Sequence, residues 1–388
     1  MRLAHTILLC MVVALLVPTA AKARTWRVER DGSGEFASIH NAINACSAGD
    51  TILIGPGRYD DFHSVTAPAW DTAAIAYVTK DSLTFIGSGA ESTIIGPSEV
   101  YDPPELYPAP MGIVAIEDLT AVFLDIGVEN VNHGIYWEDG SVTIEACRFL
   151  ECRDGVSLIC SGGGQVSRCY FSSSVNSAIG IVTHPPCGPV LISDCDFAYV
   201  GRSEDGISLQ GTMGVTIEGC HFGSVIGIGF SGSSGVVQGC FFEETVGQGL
   251  GVSSASQVEL YDNQIHGSYA SFIVDSNSHV IGNGNVFSGG QDMATIIVTT
   301  ASTVHLNQNH IFHAGALAVE LRWFFDALVE QDFTGNYWGS TDTDSIAMWI
   351  QDVNDDPAIH SVANILPIAD GPVPREKKPL GSVKSMFR

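Results

Sequence analysis

The phrase VTIEACRF at residues 142–149 returns along the chain, and this repetition decides the fold. Its copies read GQVSRCYF (164–171), VLISDCDF (190–197), VTIEGCHF (215–222) and GVVQGCFF (235–242). Further on the phrase drifts to VELYDNQI (258–265), IGNGNVF (281–287), HLNQNHI (305–311) and FTGNYW (333–338), with Asn in place of Cys. A period of about 22 residues indicates an array of stacked coils.

The coils are predicted to be made of β-strands. Residues within each phrase alternate between the two faces with period two, and β-branched residues and glycine outnumber good helix formers. A second apolar segment follows the early phrases: GVSLI, AIGIV, GISLQ, GIGF and GLGV. Leucine-rich repeats have a similar period, but their leucine spacing and helical segment are missing. We therefore predict about twelve coils of short parallel strands, with equivalent residues stacked about 4.8 Å apart.

The Cys and Asn of each phrase should point inward and form columns. The Cys column is predicted to be a ladder of small buried side chains, because no C-x-x-C pair or inward His accompanies it. Its members are Cys147, Cys169, Cys195, Cys220 and Cys240. The Asn column should stack its amides, and consists of Asn263, Asn285, Asn309 and Asn336. Cys160 and Cys187 fall in turns of adjacent coils, where a disulfide is one alternative.

The ends of such an array need covers. The segment SGEFASIHNAINACSAGD (33–50) has one apolar helical face and predicts an N-terminal capping helix. The residues of that face are Phe36, Ile39, Ala42, Ile43 and Cys46. A second amphipathic stretch, DTDSIAMWIQ (342–351), is predicted to cover the other end.

The chain is expected to contain one domain between two processed or flexible ends. Residues 1–23 have a basic start, a short apolar run and a small-x-small site, which is typical of a secretory signal peptide. Residues 24–372 are predicted to form the repeat domain with its caps, and residues 373–388 a flexible basic tail. The mature chain is therefore expected to be secreted, extracellular or periplasmic, without a membrane span.

Charge limits the partners. The chain has 17 Lys and Arg against 43 Asp and Glu, a formal net charge of −26. Nucleic-acid binding has no electrostatic basis on such a surface. An anionic polysaccharide would also be repelled unless a cation such as calcium bridged it.

Two segments resemble a known family. GEFASIHNAINACSAGDTILIGPGRYDDF (34–62) and GNYWGSTDTDSIAMWIQDVNDDPAIHSVANILPI (335–368) are similar to the opening and closing parts of secreted bacterial pectin-lyase-like proteins. The resemblance extends from residue 25 to about residue 370. It implies an all-β fold, the single-stranded right-handed parallel β-helix, a solenoid. This superfamily includes lyases, glycoside hydrolases, esterases, epimerases and adhesins, so fold alone does not specify function.

The sequence departs from the enzyme patterns of that superfamily. The N-T-D, G-H-G and R-I-K motifs of polygalacturonases are missing, and its D-D pairs lie at the two ends of the chain. The D-F-I-F-G of pectin methylesterases and the D-P-H-D of alginate epimerases are also missing. None of the well-marked enzyme groups is therefore supported by motif.

One outward column offers candidate catalytic residues. The residue between Cys and Phe reads Arg148, Tyr170, Asp196, His221, Phe241 and Gln264 in successive coils, with Arg168 and Asp194 just before it. By resemblance to lyases, Arg148 or Arg168 would be the base and His221 the acid. Asp194, Asp196 and Glu218 would supply part of a calcium shell. The alternative is a solvated face with ion pairs between coils.

A turn-edge cluster, a set of aromatic residues and an acidic segment are further candidates for a functional site. A cluster on one turn edge contains His133, Arg153, Asp154, Arg202, Glu204 and Asp205. Insertions at 60–81 and 96–110 bring aromatic residues that suit sugar rings or that pin the loops. The candidate substrate-binding residues are Trp70, Tyr77, Tyr101 and Tyr107 of these insertions, together with Trp137 in a nearby repeat. Residues 352–356, DVNDD, match the start of a calcium loop, but Pro357 occupies the position of its glycine.

Two functions remain open from sequence. The first is a non-catalytic β-helix with a surface, structural or glycan-binding role, whose partner is a polysaccharide or cell-surface glycan. The second is a carbohydrate-active enzyme, a polysaccharide lyase or glycoside hydrolase, acting on an extracellular polysaccharide. Calcium is the one cofactor to consider.

Overall fold

The computed structural model describes residues 22–372, except for 67–70, 100–109, 160–161, 175, 183–187, 201–204, 224–225, 246, 268, 292, 316 and 323–327. The described chain forms a parallel β-solenoid of about 12 turns with little helix. The predicted β-helix is therefore confirmed. Cys160 and Cys187, the two cysteines of the predicted disulfide alternative, lie outside the described residues.

Each coil contributes one strand to each of three sheets, because the same sequence phrase returns at the same place in every coil. The first sheet is formed by β1 (Thr25–Val28), β2 (Thr51–Ile54), β6 (Leu83–Gly87), β9 (Thr120–Leu124), β12 (Ser141–Glu145), β15 (Gly164–Ser167), β18 (Val190–Ser193), β21 (Val215–Glu218), β24 (Ser234–Gln238), β27 (Gln257–Tyr261), β30 (His279–Asn283), β33 (Thr303–Asn307), β36 (Val329–Asp332) and β38 (Ser361–Asn364). The second sheet is formed by β3 (Gly57–Tyr59), β7 (Thr93–Ile95), β10 (Gly127–Glu129), β13 (Arg148–Leu150), β16 (Tyr170–Ser174), β19 (Asp196–Val200), β22 (His221–Gly223), β25 (Phe241–Thr245), β28 (Gln264–Gly267), β31 (Val286–Gly289) and β34 (His310–Ile311).

The third sheet is formed by β4 (His63–Thr66), β5 (Asp71–Tyr77), β8 (Pro110–Ala115), β11 (His133–Glu138), β14 (Asp154–Ile159), β17 (Ile179–Val182), β20 (Asp205–Gln210), β23 (Ile226–Ser231), β26 (Gln248–Ser253), β29 (Ala270–Val274), β32 (Ile296–Thr299), β35 (Val319–Arg322) and β37 (Ile350–Gln351). Every pairing between these strands is parallel except that of β4 with β5, which is an antiparallel hairpin within the first long insertion. The parallel register stacks equivalent residues of successive coils.

The predicted inward columns are confirmed. The five phrase cysteines are 0–1% exposed, and the Phe rings two residues later stack face to face at centroid distances of 4.5–5.1 Å. A column of glycines on the third sheet makes room for these rings, since a Cβ added at Gly155 would lie 2.9 Å from a ring carbon of Phe171. Burial also raises the pKa of the neighbouring Cys152 thiol to about 12, which keeps it protonated and unreactive.

The Asn column also forms as predicted. The side-chain nitrogen of Asn263 donates to the Oδ1 of Asn285 at 3.0 Å, and Asn285 repeats this with Asn309. Asn309 continues the ladder to Asn336 at 3.2 Å. Because all four side chains are fully buried, the ladder satisfies amide groups that would otherwise destabilise the core.

A second polar ladder was not predicted. At another corner of the later coils, backbone N–H groups donate to the hydroxyl of the next coil at 3.0–3.2 Å. The residues of this ladder are Thr212, Ser233, Ser256, Ser278 and Ser302. Because serines are common in turns, this column has no distinctive signal in the sequence.

The two predicted caps are present but shorter than expected. Helix α1 covers Ile39–Ala45 and buries Ile39, Ala42 and Ile43 against the first coil. Phe36 lies before it and pairs with Val28 in an isolated bridge. Helix α2 covers Thr343–Ala347, and Asp342 accepts the backbone N–H of Asp344 at its start. Within the described part of the chain, no helix is long and apolar enough to cross a membrane.

Candidate functional site

The outward column predicted on the second sheet exists, and we call it the second-sheet face. Strand register stacks its members in the predicted order, Arg148, Tyr170, Asp196, His221, Phe241 and Gln264. The alternation of each phrase fixes this arrangement, because the flanking Cys and Phe are both in the core.

Arginines of the second-sheet face are held by a carboxylate. Glu129 lies between Arg58, at 2.7 Å, and Arg148, at 3.5 Å. The Arg148 guanidinium also lies over the ring of Tyr170, 6.0 Å from its centroid. An arginine engaged in this way is charged and occupied, which opposes the predicted role of Arg148 as a base.

His221 likewise lies between two carboxylates. Its Nδ1 lies 2.9 Å from an Asp196 oxygen and its Nε2 lies 3.3 Å from a Glu243 oxygen. The hydrogen bond to Asp196 raises the pKa of His221, and burial opposes this only in part. The imidazole also stacks on Phe241 at 5.6 Å. The structure therefore joins Asp196 and His221 as predicted, but as an ion-paired clamp.

The remaining members of the predicted lyase site do not join this clamp. Arg168 and Asp194 occupy corners with φ of 53° and 52°, and Arg168 forms an ion pair with Glu145 of the first sheet. Glu218 ends a first-sheet strand. Among the described residues no three His, Cys, Asp or Glu side chains are placed to hold a metal ion. The predicted calcium shell of Asp194, Asp196 and Glu218 does not fit a metal site.

The predicted aromatic contacts divide into three groups. Trp137 is 1% exposed and packs in the core against Phe123, so its prediction as a sugar contact was wrong. Tyr77 packs against an outer apolar cluster that includes Val65 and Met111. Trp70, Tyr101 and Tyr107 lie outside the described residues.

The DVNDD segment is a structural turn. Asp352 is 5% exposed, and its carboxylate accepts the backbone N–H groups of Asn354 at 2.8 Å and Ala363 at 3.1 Å. These hydrogen bonds account for Asp352 as a residue that closes the turn, without any metal ion.

Part of the turn-edge cluster does come together. Nδ1 of His133 lies 3.4 Å from an oxygen of Asp154 on the next strand. Arg153 is close enough for its charge to act on His133. Asp205 lies further along the same edge, whereas Arg202 and Glu204 are outside the described residues.

A groove that the sequence did not predict lies on the outer face of the third sheet. Its floor is a column of small outward residues, Ser157, Gly180, Ser208, Gly229 and Gly251. Larger side chains close the column at its two ends, Tyr136 on one side and Ile273 on the other. Small residues stacked between large ones leave a depression along the sheet.

The part of the depression from Asp205 to Asp275, which we call the third-sheet groove, has a volume of about 330 Å³. Asp205 and Gln248 line one edge, and Ser231, Ser253 and Asp275 line the other. The side chains of the first two lie across the glycines of the floor. A Cβ on Gly229 would lie 2.1 Å from an Asp205 oxygen, and one on Gly251 would lie 2.3 Å from the Gln248 amide.

The third-sheet groove is polar and negative. Among the residues that the structure describes, no Lys, Arg or His lines it. Burial opposes ionisation of Asp275, but hydrogen bonds from Thr299, Thr300 and Ser276 lower its pKa overall. The groove therefore presents carboxylate, hydroxyl and amide groups with no cation among them, a set suited to neutral hydroxyl groups.

A signal for this groove was present in the sequence. The second apolar segments GVSLI, AIGIV, GISLQ, GIGF and GLGV all carry Ser or Gly at the outward position between buried residues. Alternation identified these segments as strands. The small outward residue in five successive coils is the further signal that would have indicated a groove, and it was not recognised.

Comparison with known proteins supports the architecture. The family model "Right handed beta helix region" matches residues 112–222 and 179–322. The chain is similar to the A-module of the Azotobacter vinelandii mannuronan C-5 epimerase AlgE4, at 14% identity and a TM-score of 0.50, over 85% of this chain and 94% of that one. No curated protein matches the sequence.

Two further solved structures are less similar. The pectin methylesterase from carrot has 12% identity and a TM-score of 0.35, over 90% of each chain. The pectate lyase Pel9A has 14% identity and a TM-score of 0.35, over 78% of this chain and 79% of that one. At these identities the likeness concerns the fold and not the chemistry. On its fold and on the family match, the chain belongs to the right-handed β-helix family.

Proposed function

We propose that the protein binds an uncharged, hydroxyl-rich glycan in the third-sheet groove. The observation that carries this proposal is the groove itself, a depression of about 330 Å³ whose described lining residues offer hydroxyl, amide and carboxylate groups and include no Lys, Arg or His. Pockets of this size hold small ligands or segments of longer ones. Sugar hydroxyl groups donate to carboxylates and exchange hydrogen bonds with serine and amide side chains.

Charge favours a neutral ligand over an acidic one. Two carboxylates lie in the third-sheet groove, and the whole chain has a formal net charge of −26. A polyuronate would be repelled at long range and would bring its own carboxylates next to Asp205 and Asp275.

Within the groove the geometry favours binding over cleavage of glycosidic bonds. Glycoside hydrolases need two carboxyl groups roughly 5–9.5 Å apart. Asp205 and Asp275 are separated by three coil steps, from β20 to β29, which amounts to about 14 Å along the axis. The two carboxylates are therefore binding groups at opposite ends of the groove.

Calorimetric titration of the protein with soluble neutral polysaccharides and with a polyuronate tests the proposal. We expect a neutral glycan to bind and the polyuronate to bind at least about tenfold more weakly. A Ser231→Trp variant should fill the groove and abolish binding. Thr216→Trp, at an outward position of the first sheet, is the matched control and should bind normally. Failure of every neutral glycan, or equal binding by Ser231→Trp, would contradict the proposal.

We further propose that this binding takes place outside the cytoplasm. The support is the signal-peptide pattern of residues 1–23. N-terminal sequencing of the protein recovered from its native host should begin at residue 24. A chain recovered with Met1 intact would contradict export by this route.

A further inference from the structure

One histidine of the third sheet lies beside the floor of the depression and has no part in glycan binding as described. His133 opens β11, and its Nδ1 lies 2.8 Å from the hydroxyl oxygen of Ser157 and 3.4 Å from Oδ2 of Asp154. Both neighbours belong to β14, the next strand of the sheet. Ser157 is itself the first small residue of the floor.

The Asp154 carboxylate is fixed in place. Its Oδ1 accepts the side-chain amide of Asn176 at 2.6 Å and the backbone N–H of Ser177 at 3.2 Å. The side chain is only 8% exposed, and its other oxygen faces His133. The Asp154 carboxylate can only accept a hydrogen bond, so we assign the imidazole proton to Nδ1, between Asp154 and Ser157. A neutral imidazole oriented in this way carries its lone pair on Nε2.

That lone pair is available. Burial lowers the pKa of His133. The Asp154 charge raises this pKa in part, and the Arg153 charge lowers it further. The imidazole is 21% exposed, and Nε2 has no hydrogen-bond partner among the described residues. His221 is the opposite case, because both of its nitrogens face carboxylates.

Open space and a positive charge lie beside the His133 imidazole. A Cβ added at Gly180, beside Ser157 on the floor, would meet nothing within 4 Å. Arg153 is exposed, and its charge reaches the His133 ring. Hydrolysis of a carbonyl compound needs a base for water, space for the substrate and a positive group for the carbonyl oxygen. His133, the open floor at Gly180 and Arg153 supply these three features.

We propose that His133 is a general base that activates water to hydrolyse ester substituents of the glycan bound in the third-sheet groove, and this rests on the proposed function. Nε2 removes a proton from water while the water oxygen bonds to the ester carbonyl carbon. The carbonyl electron pair moves to its oxygen, next to Arg153. Collapse breaks the bond to the sugar oxygen, which takes the proton back from Nε2. The products are a carboxylic acid and a free sugar hydroxyl, without any redox partner.

An ester fits these groups better than the other bonds of a glycan. Glycosidic cleavage needs a pair of carboxyl groups, but Asp154 is engaged by Asn176 and Ser177, and Asp205 is two coils further on, about 10 Å away. Elimination needs a uronate, which the negative groove repels. In this arrangement Asp154 is a positioning residue, because it acts through the tautomer of His133.

The test uses the full chain with two esters, p-nitrophenyl acetate and an O-acetylated neutral xylan. Release of p-nitrophenolate and of acetate is measured for the wild type and for His133→Gln. We expect a loss of at least about 100-fold in kcat for the variant. The matched control is His305→Gln, because His305 also lies beside an aspartate, Asp332 at 3.6 Å, but on the first sheet. It should hydrolyse both esters at the wild-type rate.

Two further readouts separate catalysis from folding. Wild-type activity should rise with pH through a pKa below the ordinary His value, and Asp154→Asn should lower kcat and displace that profile while leaving KM unchanged. Thermal unfolding verifies that each variant is folded.

Hydrolysis that His133→Gln leaves intact, or no hydrolysis of either ester by the wild type, would overturn the proposal. His133-dependent hydrolysis of p-nitrophenyl acetate without any glycan binding would instead overturn only the proposed function.

Discussion

The second-sheet face and the third-sheet groove are built by the same coils, yet they differ in whether their charged side chains form ion pairs. On the second-sheet face Arg148 lies beside Glu129, which also pairs with Arg58, and His221 lies beside Asp196. In the third-sheet groove no Lys, Arg or His is among the described lining residues, which include Asp205 and Asp275. Ion pairs hold neighbouring coils together on the face, whereas the groove presents polar and acidic groups to a ligand.

Side-chain size makes the same distinction. The second-sheet face carries stacked large groups, such as His221 on Phe241, which fill the space above the strands. The groove floor carries Ser and Gly at every coil from Ser157 to Gly251. The scaffold is therefore the same on both faces, and the outward residue of each coil decides whether a face is filled or open.

The largest expected effect concerns the stability of the second-sheet face. Glu129→Ala removes the carboxylate between two guanidiniums, and the Glu129 side chain is only 13% exposed. Hydrogen bonds to charged groups contribute about 1.5–3 kcal/mol each, so we expect the free energy of unfolding to fall by about 2 kcal/mol. Denaturant unfolding measures this, and glycan affinity should not change.

Glu243→Ala is the matched control for that variant. Its carboxylate is 57% exposed, so the loss should be below about 0.5 kcal/mol. If Glu129→Ala were as mild as Glu243→Ala, or if it weakened glycan binding, the assignment of a structural role to this face would be wrong.

The next effect concerns ligand charge in the groove. The double variant Asp205→Asn, Asp275→Asn removes two negative charges but keeps hydrogen-bonding groups of the same shape. Affinity for a polyuronate should rise by up to about 30-fold at low salt, since each of the two unit charges contributes about 1 kcal/mol at contact distance in water. Titration with the polyuronate at low and at high salt measures the change.

Charge on the whole chain must be held equal in that experiment. Asp118→Asn, Asp262→Asn also removes two charges, both from exposed positions outside the groove. It should leave polyuronate affinity nearly unchanged, and the groove effect should vanish at about 1 M salt, where charges are screened within about 3 Å. An equal gain in both double variants would mean that net charge, and not the groove, selects the ligand.

Most of the fold could be predicted from the sequence because the core repeats. The alternation of each phrase places Cys147 and Phe149 inside and Arg148 outside, and stacking then copies that choice to every coil. Even the order of the second-sheet face followed from the spacing of the phrase. Helix α1 was overestimated because the apolar face continued into Phe36, which instead pairs with a strand.

The candidate sites were harder to predict because they depend on which outward groups neutralise each other. Sequence placed His221 and Asp196 together, but it could not show that Glu243 occupies the other nitrogen. Trp137 was taken for a surface residue although its position in the strand is inward. The third-sheet groove arises from missing side-chain volume. Its floor of Ser and Gly residues contains no reactive group that a motif would identify.

The third effect is a pH dependence of stability. The pKa of His221 is raised in the folded protein, from an ordinary value of 6.5, by Asp196 and Glu243. The stabilisation is therefore fully present below that ordinary value and is lost as pH rises through the raised one. We expect a loss of up to about 1 kcal/mol, absent in His221→Gln, from unfolding curves across this range. Equal pH dependence in the variant would exclude the clamp as its source.

The smallest effect tests how the floor positions a wall of the groove. Gly229→Ala places a Cβ where an Asp205 oxygen now lies, 2.1 Å away, and that flexible side chain must move off the floor. We expect affinity for the neutral glycan to fall about threefold, a cost of less than 1 kcal/mol. The free energy of unfolding should stay level or rise, because alanine suits a strand better than glycine. Gly180→Ala, whose Cβ meets nothing within 4 Å, should retain more affinity, and the reverse order would show that Asp205 does not contact the ligand.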